Sequence, residues 1–240
     1  MKSTVEEIRK RFDNDVERFS NLETGQSATM DAPLCMNLVT SSAAAITPQA
    51  RNLLDIGCGA GNYTLKMLGH IPNLNCTLLD LSQPMLDKAR QRVAAVTSGR
   101  IETIQADVRD ADFASGSFDI VLAAAVLHHL RTDKQWQQVF SSVFTWLRPG
   151  GSFWIFDYIQ QSSPVIENLT QQRFGEYLVE LKGGGVDGQK YRDSVFAYVA
   201  AEDSPKPLLW QVNLLSEVGF VNADILHKNG PFAAFGACRP

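Results

Sequence analysis

The chain is poor in cysteine, in basic excess and in long apolar runs. Its 240 residues hold four cysteines, Cys35, Cys58, Cys76 and Cys238, with no C-x-x-C pair among them. Neither a zinc knuckle nor a disulfide framework is indicated, so reduced thiols and no metal are expected. No apolar stretch approaches the roughly 18 residues needed to span a bilayer, and Met1–Glu7 lacks the apolar segment of a secretory signal. A cytoplasmic protein without membrane contact is the expectation. Acidic residues outnumber basic ones, 26 to 22, for a net charge of −4. The single basic cluster, Arg9-Lys10-Arg11, is flanked by Glu6, Glu7, Asp13 and Asp15, and reads as a solvated helix face. A nucleic-acid partner, whose phosphates call for a broad basic patch, is therefore not expected. A small molecule is the expected partner, with a homodimer left open. Without internal repeats or a break in composition, 240 residues predict one domain.

What the chain does have is the stretch Leu53-Leu54-Asp55-Ile56-Gly57-Cys58-Gly59-Ala60-Gly61-Asn62-Tyr63-Thr64, an acid and three alternating glycines between a short apolar strand and a helix. Glycines there let the backbone turn sharply and approach a ligand, and the helix start presents unpaired N–H groups. A dinucleotide fingerprint, G-x-G-x-x-G, needs its third glycine at position 62, where Asn62 stands. Asp55 would also sit badly beside a pyrophosphate, whereas it suits a ligand bearing an ammonium or sulfonium group. S-adenosylmethionine carries both.

Five apolar runs alternate with amphipathic segments between residues 52 and 158, the pattern of a mostly parallel sheet covered by helices on both faces. Residues 84–97 place Met85, Leu86, Ala89, Val93 and Val96 on one stripe, and residues 133–147 do so with Trp136, Val139, Phe140, Val143, Phe144 and Leu147. Ser204-Pro205 reads as the start of a helix that stops at Gly219, followed by strands near 220–227 and 231–238. Within the single domain, residues 1–50 are expected to form a helical cap around a looser stretch at 20–27, and 51–160 the cofactor-binding core. Residues 161–203 are expected to form an insertion or lid with a mobile glycine cluster at 182–188, and 204–240 the last helix and a hairpin. In open α/β sheets ligands bind at the carboxyl ends of the strands, which cap and insertion can both cover.

Asp55-Ile56-Gly57-Cys58-Gly59-Ala60-Gly61 resembles the first motif of the class I S-adenosylmethionine-dependent methyltransferases, and three further motifs follow in that family's order. Asp80 closes Cys76-Thr77-Leu78-Leu79-Asp80, where an acid can accept both ribose hydroxyls or simply cap a helix. Leu81-Ser82-Gln83-Pro84-Met85-Leu86 is similar to the loop in which an apolar side chain near Met85 packs on adenine. In Gln105-Ala106-Asp107-Val108, the resemblance assigns the adenine amino group to Asp107 and a ring nitrogen to the Val108 N–H. The fourth match runs from Ser117 to Leu130 through Ala123 and Ala124, followed by Leu147-Arg148-Pro149-Gly150-Gly151. The resemblance implies a Rossmann-like seven-stranded sheet of order 3-2-1-4-5-7-6, its last strand antiparallel, and S-adenosylmethionine as cofactor. Its cofactor contacts here would be Asp55, Gly57, Cys58, Gly59, Gly61, Asp80, Leu81, Met85, Asp107, Val108, Ala123 and Ala124.

Methyl transfer from a sulfonium requires mainly alignment, although a hydroxyl or acidic carbon acceptor would benefit from a base. His128 or His129, just past the fourth strand, is the candidate; a structural histidine is the alternative, and His227 is a weaker one. Tyr158, Tyr177, Arg192 and Phe232 are the expected acceptor-pocket residues, with Asp157, Arg173, Phe174, Tyr191 and Phe235 nearby. A narrower similarity, through Arg11–Phe19, Gln189-Lys190-Tyr191-Arg192 and the C-terminal segment, is to the carboxy-S-adenosylmethionine synthases, which act in modification of the tRNA wobble uridine. In that group an arginine near the place of Arg192 binds the extra carboxylate. Cys58-Gly59-Ala60-Gly61 replaces its Cys-Ser-Leu-Gly and Tyr191 is inserted, so a plain small-molecule methyltransferase leads. A non-catalytic S-adenosylmethionine-binding regulatory module is the remaining alternative.

Overall fold

Residues 52–56 are an asparagine followed by three aliphatic residues interrupted by one acid, and in the computed structural model they form β1 (Asn52–Ile56), an interior strand of the sheet. The structure describes residues 2–21 and 27–240, so part of the looser stretch expected at 20–27 lies outside the described residues. Around β1 run β2 (Asn75–Asp80), β3 (Ile101–Gln105), β4 (Phe118–Ala124), β5 (Leu147–Tyr158), β6 (Val221–Asn229) and β7 (Phe232–Cys238). Their order is 3-2-1-4-5-7-6, with β1 to β5 parallel and β7 antiparallel to both β5 and β6, as the resemblance implies.

Alternation along the central strands divides the core in two, because successive side chains point to opposite faces. Leu53, Leu78, Leu122 and Phe156 pack on one side with α3 (Ala32–Ile46), α4 (Asn62–His70) and α5 (Gln83–Ala94). Leu54, Ile56, Val121 and Phe153 pack on the other with α6 (Asp133–Trp146) and α9 (Leu208–Val218). Helix α6 starts on a capping box between Thr132 and Gln135, and its Trp136, Val139, Phe140 and Val143 are fully buried, four members of the expected stripe, whose Phe144 is half-buried and whose Leu147 opens β5 instead. Buried Asp119 ties the foot of the sheet together by accepting from the Arg51 and Asn52 N–H groups at 2.6 and 2.8 Å and pairing with Arg148.

Three local expectations change. Val96 lies past the end of α5 and is 58% exposed rather than part of a core stripe. The last helix begins at Leu208, with Pro207 at its N-cap, and not at Ser204-Pro205. Ser204 N–H instead donates to the His128 carbonyl at 2.7 Å, and Gln160 N–H to the Lys206 carbonyl at 3.3 Å, while each residue before a proline is pushed toward extended backbone. The segment 161–203 is largely a helical pair, α7 (Pro164–Leu181) and α8 (Gly185–Glu202). Gly183, Gly184 and Gly185 make the reversal between them at positive φ, and a Cβ on Gly188 would lie 2.5 Å from the Val179 carbonyl oxygen. Those glycines serve a tight turn and a close helix crossing. Helices α1 (Val5–Asn14) and α2 (Val16–Ser20) complete the molecule, α1 carrying a capping box between Thr4 and Glu7. No described helix is long and apolar enough to cross a membrane.

Candidate active site

β1 ends in a loop that only glycine can form. Gly57, Gly59 and Gly61 all have positive φ, and a Cβ on Gly57 would lie 2.6 Å from Val126 Cγ2. Gly57 and Cys58 N–H both donate to the Leu79 carbonyl, at 2.8 and 3.1 Å, which bends the loop over the end of β2. Asp80, the last residue of β2, accepts from Gly59 N–H at 2.8 Å through one oxygen and from Ser82 N–H at 2.9 Å through the other. Each oxygen keeps a lone pair for a ligand. Asp55, 1% exposed, accepts from the Thr64 hydroxyl at 2.6 Å. Burial pushes its carboxyl up to about 7 against that hydrogen bond, and burial also raises Asp80.

These groups face one cavity. Asp55, Gly57, Cys58, Gly59, Asp80, Leu81, Met85 and Ala124 all line it, together with Phe12, Phe19, Tyr63, Val126 and His129. Asp107 and Val108 line an adjoining hollow that shares Gly57, Asp80, Leu81 and His129 with it. Asp107 is already engaged: Arg109 donates to it through its backbone N–H at 2.9 Å and through its guanidinium. Burial works against ionisation there, and Arg109 outweighs it, so the Asp107 carboxyl sits below its ordinary value. Gly61 and Ala123 stand apart from the cavity wall. Gly61 caps α4 and lies against Ala89 of α5, and Ala123 is buried in β4 on the α6 side of the sheet.

A second cavity abuts the first across Phe12, Phe19 and Ala125. Tyr158 and Phe232 line it, as do Phe156, Phe174, Tyr198, Arg18, His128, Asp157 and Asp203. Tyr177 and Arg192 lie elsewhere. The Tyr177 hydroxyl donates to the Ser27 carbonyl at 2.9 Å while its ring stacks on Phe174, and the Arg192 guanidinium pairs with Asp193 beside an outer groove between α7 and α8. Arg173 is exposed, Tyr191 lies under Lys182, Phe235 belongs to the α6-side core, and His227 pairs with Asp31 at 2.8 Å near the hairpin.

The two histidines follow β4 in a 3-10 turn, Leu127–His129, entered through Ala125, a non-glycine residue at φ +53° whose N–H donates to the Phe156 carbonyl. Asp157 holds His128 twice, accepting from its backbone N–H at 2.9 Å and engaging its Nδ1. Burial alone would lower the His128 imidazole, yet Asp157 and Asp203 raise it to about 9. At neutral pH this makes His128 a cation, not a base. His129, by contrast, is driven well below its ordinary value by burial and by His128. Asp203 is raised to about 6, burial outweighing its attraction to His128. Motif reading missed Asp203, Tyr198 and the cavity walls Phe12 and Phe19. Phe12, Phe19 and Asp203 do occur in segments that resemble the carboxy-S-adenosylmethionine synthases, Arg11–Phe19 and the ending that opens with Glu202-Asp203-Ser204, but the resemblance attached no role to them.

Comparison with known proteins agrees with this geometry. Residues 53–151 match the methyltransferase domain family, a span from the core of β1 to the glycine pair early in β5. Those residues carry the sequence of a methyltransferase domain, in line with the resemblance to the class I S-adenosylmethionine-dependent methyltransferases. Malonyl-[acyl-carrier protein] O-methyltransferase of Paenibacillus sp. strain JDR-2 is 29% identical over 147 residues, 60% of this chain and 52% of that protein. The chain thus spans about half the length of that relative. Demethylmenaquinone methyltransferase of Lactococcus lactis is 25% identical over 190 residues, 78% of this chain and 73% of that protein. Among solved structures, the Burkholderia thailandensis 1,6-didemethyltoxoflavin-N1-methyltransferase, with bound 1,6-didemethyltoxoflavin and S-adenosylhomocysteine, superposes with a TM-score of 0.64. That match is 17% identical and covers 99% of this chain and 91% of that one, so it shows a shared fold. In this methyltransferase fold the first cavity lies where β1, β2 and β4 end, beside the switch in strand order.

Proposed function

We propose that this chain transfers a methyl group from S-adenosylmethionine to a small-molecule acceptor. The observation that carries this reading is the pair of cavities meeting at Phe12, Phe19 and Ala125, one acidic and glycine-walled, the other aromatic. Asp80 would accept the ribose hydroxyls through its free lone pairs, Met85 and Leu81 would cover the adenine, and Asp55 would set a negative charge toward the methionine end. The bound cofactor supplies a methyl group on a positively charged sulfur. The acceptor's O, N or C atom attacks the methyl carbon in line, the carbon–sulfur bond breaks to leave S-adenosylhomocysteine, and the proton lost by the acceptor goes to solvent. Aromatic walls at Phe156, Tyr158, Phe174 and Phe232 favour a flat or apolar acceptor. The segments 1–50 and 161–203 act as cap and lid of one domain, since Phe12, Phe19, Phe174 and Tyr198 reach the cavities from them.

Calorimetric titration with S-adenosylmethionine, followed by a screen of hydroxyl, amine and acidic-carbon acceptors for S-adenosylhomocysteine release, tests this. Micromolar binding that disappears in Asp80→Ala, with turnover of at least one acceptor, is the expected result. Absence of cofactor binding would refute it and favour a regulatory module. The carboxy-S-adenosylmethionine reading loses support from the position of Arg192, paired with Asp193 beside the outer groove. A copurified cofactor heavier by a carboxylate, found by mass spectrometry, would restore it.

A further inference from the structure

His128, His129 and Asp203 are brought together between the two cavities, although the third follows the other two only after α6, β5, α7 and α8. Asp203 Oδ1 lies 3.6 Å from His128 Nε2 and 3.3 Å from His129 Nδ1, and one donor atom from each residue falls within 4.8 Å of the others. Donors bound tetrahedrally at ~2.0–2.1 Å to a single ion sit about 3.4 Å apart. Two edges of the cluster already have that length, and a small rotation of the imidazoles closes the third.

The hydrogen bonding points the same way independently. Asp157 occupies His128 Nδ1 and its backbone N–H, which leaves Nε2 as the ring nitrogen facing Asp203. A carboxylate behind an imidazole in this manner orients the ring and sharpens its free nitrogen as a ligand. Asp203 Oδ1 and both ring nitrogens of His129 are buried and make no hydrogen bond among the described residues, with the Asp203 side chain only 3% exposed. Unsatisfied buried polar atoms are costly, and two of these, Asp203 Oδ1 and His129 Nδ1, face each other at 3.3 Å. Asp157 and Asp203 set two carboxylates against the two imidazoles, a surplus of acidic groups that suits a cation.

We propose that His128 Nε2, His129 Nδ1 and Asp203 Oδ1 bind a divalent transition-metal ion, with Asp157 as the positioning residue behind His128. Two imidazoles and one carboxylate without a thiolate suit zinc, iron(II) or cobalt better than calcium or magnesium. The remaining coordination position opens onto the aromatic cavity, which His128, Asp157 and Asp203 also line, so that a water or an acceptor oxygen completes the shell. The expectation of no metal rested on the absence of a C-x-x-C pair, and the third ligand, Asp203, stands far along the chain from the two histidines. Binding of the ion stands by itself; its role beside an acceptor rests on the methyltransferase reading.

The test uses the full chain, stripped with a chelator and titrated with Co²⁺ alone. The expected result is one equivalent per chain by calorimetry, with visible d–d absorption of four-coordinate strength that Zn²⁺ abolishes. Affinity should fall at least tenfold in His129→Gln and in Asp203→Asn, and about 10- to 100-fold in Asp157→Asn. His227→Gln, at a separate histidine near the hairpin, should leave it unchanged. Failure of the wild-type protein to take up stoichiometric cobalt overturns the site without recourse to any variant, as does uptake that persists in the His129→Gln/Asp203→Asn double variant. Titration of S-adenosylmethionine on the same samples separates the two readings. Cofactor binding without cobalt uptake overturns the metal site alone, and cobalt uptake without cofactor binding supports the site and overturns the methyltransferase reading.

Discussion

Replacing Asp55 by Asn removes a charge from the floor of the first cavity while keeping its shape and an oxygen for the Thr64 hydroxyl. Burial holds the Asp55 carboxyl near 7 instead of 3.8. A folded-state value raised above the unfolded one means that folding favours the protonated acid. The ionised form therefore weakens the fold progressively as pH rises above about 4, and the loss levels off above about 7. Three units at 1.36 kcal/mol each set the full loss at about 4 kcal/mol. Asp55→Asn is exempt from it, so its stability relative to wild type should rise by about 3–4 kcal/mol between pH 4 and pH 8. For a chain of this size that is a relative gain of roughly 6–16 °C in Tm. Bound S-adenosylmethionine should reverse the order, because its positive groups stabilise the ionised Asp55 and do nothing for Asn. Wild-type affinity should then climb as pH passes through about 7 and flatten above it. Thermal unfolding of both proteins from pH 4 to 8.5, with and without cofactor, reads all of these effects. A Tm difference that stays constant with pH, or cofactor affinity in Asp55→Asn equal to wild type at pH 8, would refute the reasoning.

Asp80→Ala should weaken S-adenosylmethionine by at least 30-fold in calorimetry, about 2 kcal/mol, because it removes the ribose acceptor and the brace on Gly59 and Ser82 together. Gly57→Ala should lose cofactor binding and about 2 kcal/mol or more of stability, since a Cβ would meet Val126 at a φ of +64°; adding Val126→Ala should recover only part, read by urea unfolding. Phe140→Ala, deep under the sheet on α6, should cost about 3–5 kcal/mol with cofactor affinity per folded molecule unchanged. Arg192→Ala should leave Tm within a degree or two and cofactor affinity at wild-type level, because its ion pair with Asp193 is exposed; a tenfold loss of affinity would return Arg192 to the site.

Legibility followed the range of the interactions. The stripe of α6, the strand alternation and the three glycines of the first loop are set by neighbours a few residues away, and each was readable where it stood. The start of helix α9 was misplaced by three residues because Ser204 and Lys206 make their hydrogen bonds with His128 and Gln160, partners far off in the chain. The same reason separates Tyr158 and Phe232, which share a cavity wall, from Tyr177 and Arg192, which had equal claim as residue types: Tyr177 packs against Phe174 with its hydroxyl on Ser27, and Arg192 pairs with Asp193 on α8.

The amino-acid sequence by itself determined a Rossmann-like fold with the motifs of a methyltransferase domain in order, because backbone turns, strand ends and helix starts are local and leave a spaced signature. Only the tertiary structure decided what lines the second cavity. Phe12, Tyr158, Asp203 and the two histidines come from four separate segments and meet through packing, burial and charge, none of which has a period or a spacing in the chain.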